Sequence, residues 1–393
     1  MTAITKLLLS LFLYCFLSLN SVASTTDNTR YFTKIVGIIS PFLDYKLTGE
    51  ISKERAPTLN HYEVNFDSDK RIQTISYFHG EYPSNNSYFY AHEVQYEYKK
   101  SVTARRYFDI NSKPKSMWRH YYLGGEIHME KFSHVGNSIE LELFDKKGVS
   151  VTTGLKANKF IKKPTKNGAF IQTQFDVEDN PVVLTNYFPF EKSLITIDKN
   201  EHLYEIINLN PESEEVENNA IAKFSHVIFN FDKNGNELGW KFTDTKGELV
   251  NRPDTIESPG YAEWTYKFDW YQKNINIAHS FEMSYFDKDG KRFCDSKKIC
   301  TTRFEKDSFG EYSSQSFHNI DGELITDPEL DFARVDIIRD EKGRRIENRY
   351  YVANGKLKPI GLAIKKFSYD DEEIEIAVEL DANKKTIVKK SAN

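Results

Sequence analysis

The chain has 393 residues, with 53 basic against 58 acidic side chains and a formal net charge of −5. A mildly acidic, well-mixed surface argues against nucleic-acid binding, which needs a concentrated basic stripe. The 28 Phe and 23 Tyr supply enough material for one large buried surface, or for several small ones laid end to end.

The first residues read as a targeting segment, 1–23. Lys6 gives a short basic start, and "LLLSLFLYCFLSL" (7–19) is an apolar run too short to span a bilayer comfortably. Ser21 and Ala23 then occupy the small-residue positions of a signal-peptidase site. An uncleaved membrane anchor is the competing reading; the short run and the small residues after it favour cleavage after Ala23 and export. Cys15 does not make a lipoprotein site, because Leu13 and Tyr14 before it are not small. Charged residues interrupt every apolar stretch after position 50, so no later transmembrane span is expected.

Residues 24–58 stand apart from the rest of the chain. "FTKIVGIISPFLDYKL" (32–47) is expected as an N-terminal cap or linker, part helix broken at Pro41, over the first open edge of the array.

From 59 to 393 the chain is organised by turns. Asp at the first position and Gly at the fourth suit a type I turn followed by a left-handed residue, a common hairpin loop. The combination occurs at Asp145, Asp232, Asp244, Asp287, Asp307 and Asp340, with looser versions at Asp109, Asn319, Val352, Asp370 and Asp381. Turns come in pairs eleven or twelve residues apart, as at Asp232 and Asp244 or Asp340 and Val352. Between them the residues alternate: Ile139, Leu141 and Leu143 share one face, and Leu238, Trp240 and Phe242 oppose Gly239 and Lys241. Period-two alternation marks sheets with one buried and one wet face. Each unit is therefore a strand, a tight turn, a strand, a second turn and a short third strand. First turns near 67, 97, 133, 176, 232, 275, 307, 340 and 370 predict about nine units, with "DKNE" at 198 a candidate tenth. No unit can cover its own apolar face, so neighbours must stack. The expected fold is all-β, tandem antiparallel β-hairpin repeats stacked into an extended or curled sheet; a closed propeller or barrel is the alternative.

The cadence of "NFDKNGN" and "YFDKDGK" resembles the tandem YD-type hairpin repeats of bacterial surface and secreted proteins, including RHS-type shells. "RYYVANGKLK" from 349 is similar to the hairpins of YwqK-type proteins. The resemblance spans about residues 60–388 and implies a β-hairpin scaffold at an envelope, with no catalytic residues carried over. RHS-type shells usually end in a separate toxin domain, whereas this chain ends in its own repeat.

Specific chemistry is sparse. Asp232 begins a stretch that resembles a calcium loop, but Gly235 stands at position four, Glu237 at the position where glycine is needed, and Thr243 at the final carboxylate position. A hairpin turn is the better reading, and no metal or other cofactor is assigned. The His residues are scattered, with His92 and His226 in strand-like runs, and neither a nucleophile elbow nor a phosphate-binding glycine loop is present. Cys294 and Cys300 read as a disulfide closing a small loop in an oxidising compartment. Trp240, Trp264 and Trp270 fall in consecutive units and form a candidate ligand platform, since aromatic faces stack on sugars and quaternary ammonium groups; the competing role is as core rungs of stacked sheets. The functional expectation is an exported, non-enzymatic envelope scaffold or binding protein, with an envelope protein or polysaccharide as partner. The alternative is a glycan-active enzyme or carbohydrate-binding module on a β scaffold, to be recognised by a cleft gathering two carboxylates from different units.

Overall fold

Asp145 shows how the chain reverses. Its Oδ1 accepts the backbone N–H groups of Lys147 and Val149, each at 2.8 Å, while its carbonyl accepts the Gly148 N–H and its own N–H donates to the Val149 carbonyl. Gly148 sits at φ +79°, where a Cβ is disfavoured. Asp232, Asp244, Asp287, Asp307 and Asp340 build the same turn. So do Asp67, Asp109, Asp176, Asp198, Asp295 and Asp381, with Lys70, Ser112, Asp179, Glu201, Lys298 and Lys384 as the positive-φ residue in place of glycine. The aspartate ring of hydrogen bonds, more than the glycine, is thus the common element of the repeat.

The structure, a computed structural model, describes residues 28–118, 122, 124–253, 260–369 and 375–391. The expected signal peptide and its cleavage site, and most of the acidic run after Tyr369, lie outside these. Ten long hairpins follow one another at 60–79, 93–108, 129–144, 159–175, 192–208, 226–243, 263–286, 301–318, 334–351 and 364–380. The turn near 176 joins two hairpins, and the hairpin before it turns at 165–168; the turn at 198 opens a hairpin of its own. Short bridges such as Phe144↔Ser150, Thr243↔Leu249 and Tyr351↔Leu357 supply the expected third strand of a unit. Ala91, Ala262, Ala333 and Ala363, all fully buried, stand one or two residues before a strand.

All strands belong to one antiparallel sheet. Leu47–Ile51 forms one edge, Thr29–Ile35 lies between it and Asn60–Phe66, and the strands then follow in sequence order to Thr386–Ser391 at the other edge. The edges do not pair with each other, so the sheet is open rather than a closed barrel. It nevertheless rolls over far enough to touch itself. The Asn60 N–H donates to the Phe309 carbonyl at 3.0 Å, the His79 and Phe309 rings lie 4.3 Å apart, and the Tyr77 hydroxyl donates to Glu311 at 2.7 Å. Strong sheet twist accumulated over many strands drives such rolling.

The concave face holds the main core, running from Phe32 through Val64, Val94, Leu141, Phe160, Ile195 and Val227 to Trp264. Its filler is the N-terminal segment. Residues 29–35 and 47–51 are strands, and 36–46 run through the roll without a helix, Gly37 and Pro41 both opposing one. Ser40 donates to Gln172 at 2.5 Å, Arg105 donates to the Pro41 carbonyl at 2.5 Å, and the Tyr45 and Tyr107 hydroxyls meet at 3.1 Å. Beside them Arg105 and Glu130, cross-strand partners, form a fully buried ion pair at 2.8 Å, and Tyr107 and Tyr122 donate to the same carboxylate. The two hydroxyls satisfy the carboxylate side of this pair, and the Pro41 carbonyl satisfies one nitrogen of the guanidinium.

Candidate functional site

Trp240 and Trp264 are direct cross-strand neighbours, and their rings pack 4.3 Å apart. Tyr187, Phe188 and Phe229 surround Trp240, so these two indoles form a core wall. The close approach depends on Gly239, at φ +145°, where any Cβ would run into the Trp264 carbonyl. Trp270 lies further along the strand Glu263–Gln272 and stacks on Phe268 at 4.5 Å. The three tryptophans therefore do not make a single ladder: two are core, and one lines a cleft. Cys294 and Cys300 stand at disulfide distance, Cα atoms 4.1 Å apart, around the Asp295 turn on the far rim, away from the cleft linings.

The cleft, about 280 Å³, lies where the roll comes together. Tyr266, Phe268, Trp270 and Phe281 form its aromatic wall, Tyr312 and Phe309 come from the next hairpin, and Thr33 and Lys34 come from the first strand. Phe281 lies across from Phe268 and stacks on Phe304 at 4.8 Å, so the platform is rigidly backed. A second space shares Lys34, Lys306 and Tyr312 with it and continues toward Tyr62, Tyr88 and Arg339.

Three charged groups face this cleft. Burial pushes the Glu237 carboxyl up to about 7, opposed by Lys34 and by the indole N–H groups of Trp240 and Trp264. Lys34 is drawn down to about 8, by burial first and then by repulsion from Lys306. Burial lowers Lys306 as well. Lys34 donates to the Asn236 side-chain oxygen at 3.0 Å and Lys306 to the Gly310 carbonyl at 3.0 Å; among the described residues, neither has a carboxylate at ion-pair distance.

None of these charges stands out in the sequence pattern. Strict alternation places Glu237 opposite Trp240, with Gly239 and Lys241. Asn230 pairs with Gly239 but Phe231 with Glu237, so Leu238 is an extra, unpaired residue on this strand; the bulge shifts the phase by one and turns Glu237 toward the tryptophans. Lys34 and Lys306 are far apart in sequence and meet only through the roll. Asp232, the residue suggestive of calcium, spends its carboxylate on the Asn234 and Asn236 N–H groups of its own turn. Among the described residues no group of three or more His, Cys, Asp or Glu is placed to hold a metal ion.

No protein family and no curated protein matches the chain. Slight likenesses exist among solved structures. The crystal structure of TcdB2-TccC3-TEV is 9% identical over 86% of this chain and 20% of that chain, with a TM-score of 0.19. That of TcdB2-TccC3-Cdc42 is 8% identical over 82% and 18%, with a TM-score of 0.23. The Photorhabdus luminescens Tc holotoxin pore is 9% identical over 84% and 21%, with a TM-score of 0.16. This chain spans about a fifth of each of those chains, and at such scores the likeness assigns neither fold nor partner.

Proposed function

We propose that this chain is an exported, non-enzymatic repeat scaffold of the cell envelope that binds its partner through the aromatic cleft. The observation that carries this reading is the chemistry of the cleft: aromatic faces and unpaired cations, with a single carboxylate, Glu237, in the lining. Sugar hydrolysis by the usual route needs two carboxylates set either side of the scissile bond. The next one along, Glu311, accepts from Tyr77 at 2.7 Å and lies 3.6 Å from Arg339, so it is committed to holding the roll together. The Cys294–Cys300 pair suits an oxidising compartment.

The test is to express the full chain with a C-terminal tag, fractionate the cells, and determine the N-terminal residue by mass spectrometry. Recovery from the envelope or medium with Ser24 as the first residue is expected. Cytosolic protein retaining Met1 would sink the export reading. Release of sugar from envelope polysaccharide, lost in Glu237→Gln, would replace the scaffold with an enzyme.

A further inference from the structure

Lys34 and Lys306 are the anomaly of this cleft. Elsewhere on the same rim the fold does supply partners: Lys46 reaches Glu201 at 3.2 Å. Glu237 and Asp232 act on Lys34, and Glu311 and Asp307 on Lys306, but among the described residues none of them reaches ion-pair distance. Two half-buried ammonium groups that repel each other beside one cavity therefore leave room for a close anionic partner between them. Lys306 also lies over the Tyr312 ring at 5.2 Å, which fixes its position without neutralising it.

We propose that the cleft binds a small acidic sugar, a single ring bearing one carboxylate. Its carboxylate is taken by the Lys34 and Lys306 ammonium groups, and its apolar ring face packs against the aromatic wall at Trp270. The space, about 280 Å³, sits at the lower end of ordinary ligand cavities and admits one ring rather than a chain. The hydroxyls of Tyr266 and Tyr312 and the Glu237 carboxylate border the same space and suit the sugar hydroxyls. Glu237 also opposes a second negative charge, so a monoanion is preferred over inorganic phosphate. The proposal rests on the scaffold reading only in treating the cleft as a binding site.

Titration of the purified chain with glucuronate, glucose and inorganic phosphate, followed by tryptophan fluorescence and calorimetry, tests it. Glucuronate is expected to bind at least roughly tenfold more tightly than glucose, the usual worth of a charge-assisted hydrogen bond. Lys34→Met and Lys306→Met should each remove that preference, while Trp270→Ala should weaken both sugars. Equal binding of glucose, no binding of glucuronate, or indifference to both lysine substitutions overturns the proposal. Phosphate binding more tightly than glucuronate and unaffected by Trp270→Ala overturns it in favour of a bare anion site. Circular dichroism checks each variant; if one lysine variant does not fold, the other decides, with Lys306→Arg expected to retain binding. Because purified protein is used, failure here leaves the export reading intact, and cytosolic recovery leaves this site intact.

Discussion

Gly235 and Gly247 occupy the same position of the same turn, on opposite rims of the sheet, in surroundings that could hardly differ more. A Cβ on Gly247 would meet open space, as it would on Gly290, Gly322 and Gly355 of that rim. A Cβ on Gly235 would overlap Val36 of the N-terminal segment, and one on Gly343 would overlap the His79 ring from the far end of the roll. Gly136 and Gly168, on the rim of Gly235, are open again. The repeat thus supplies turns, and rolling selects which of them become packing surfaces. The cleft lies on the packed rim for that reason: there the first strand meets the Glu263–Gln272 strand and the hairpin that carries Phe309 and Tyr312.

The comparison can be broken most directly at its glycines. Gly235→Ala and Gly343→Ala should each cost about 3 kcal/mol, from left-handed strain plus overpacking, read as a fall in the guanidinium midpoint. A cost no greater than at the open rim would show that the roll opens freely. Next is the one covalent staple of the open rim. Replacing Cys294 and Cys300 together by Ser should cost about 2 kcal/mol by the loop-entropy account, measured by the same denaturation. Gly247→Ala and Gly290→Ala should lose only about 1 kcal/mol, the conformational part alone.

The last effect is one of pH. Lys34 is lowered in the folded chain, so between about 8 and its ordinary value of 10.5 the unfolded chain holds more protons. Stability should therefore rise with pH across that window, and Lys34→Met should flatten the rise. Glu237 has the opposite slope: raised to about 7 from 4.5, it favours the folded chain's protonated form, so stability falls as pH rises between those values. Thermal melts at stepped pH, with Glu237→Gln as the second control, resolve the two windows.

Local rules are legible in the sequence because they act over a few residues. The turns at Asp145, Asp232 and Asp340 and the inward alternation of Leu141 and Leu143, both fully buried, follow from backbone hydrogen bonding and period two. The turn at Asp295 is hidden inside the small Cys294–Cys300 loop because Lys298, not glycine, takes the positive φ. Residues 36–46 cannot be placed from sequence, since an apolar run of that length suits an edge cap and an interior filler equally well. Of the cleft, Trp270 is legible as an aromatic, whereas Trp240 and Trp264 cannot be told apart from it without knowing which end of each strand the roll covers.

By itself, then, the sequence determined an all-β hairpin repeat, its turn chemistry and the small loop closed by Cys294 and Cys300. Tertiary structure alone decided that the sheet rolls around its own N-terminal segment, and that Lys34, Glu237 and Lys306 face one aromatic cleft. The reason is physical range: turns and alternation depend on neighbours in the chain, whereas twist accumulates over many strands and a single bulge reverses which face a side chain joins.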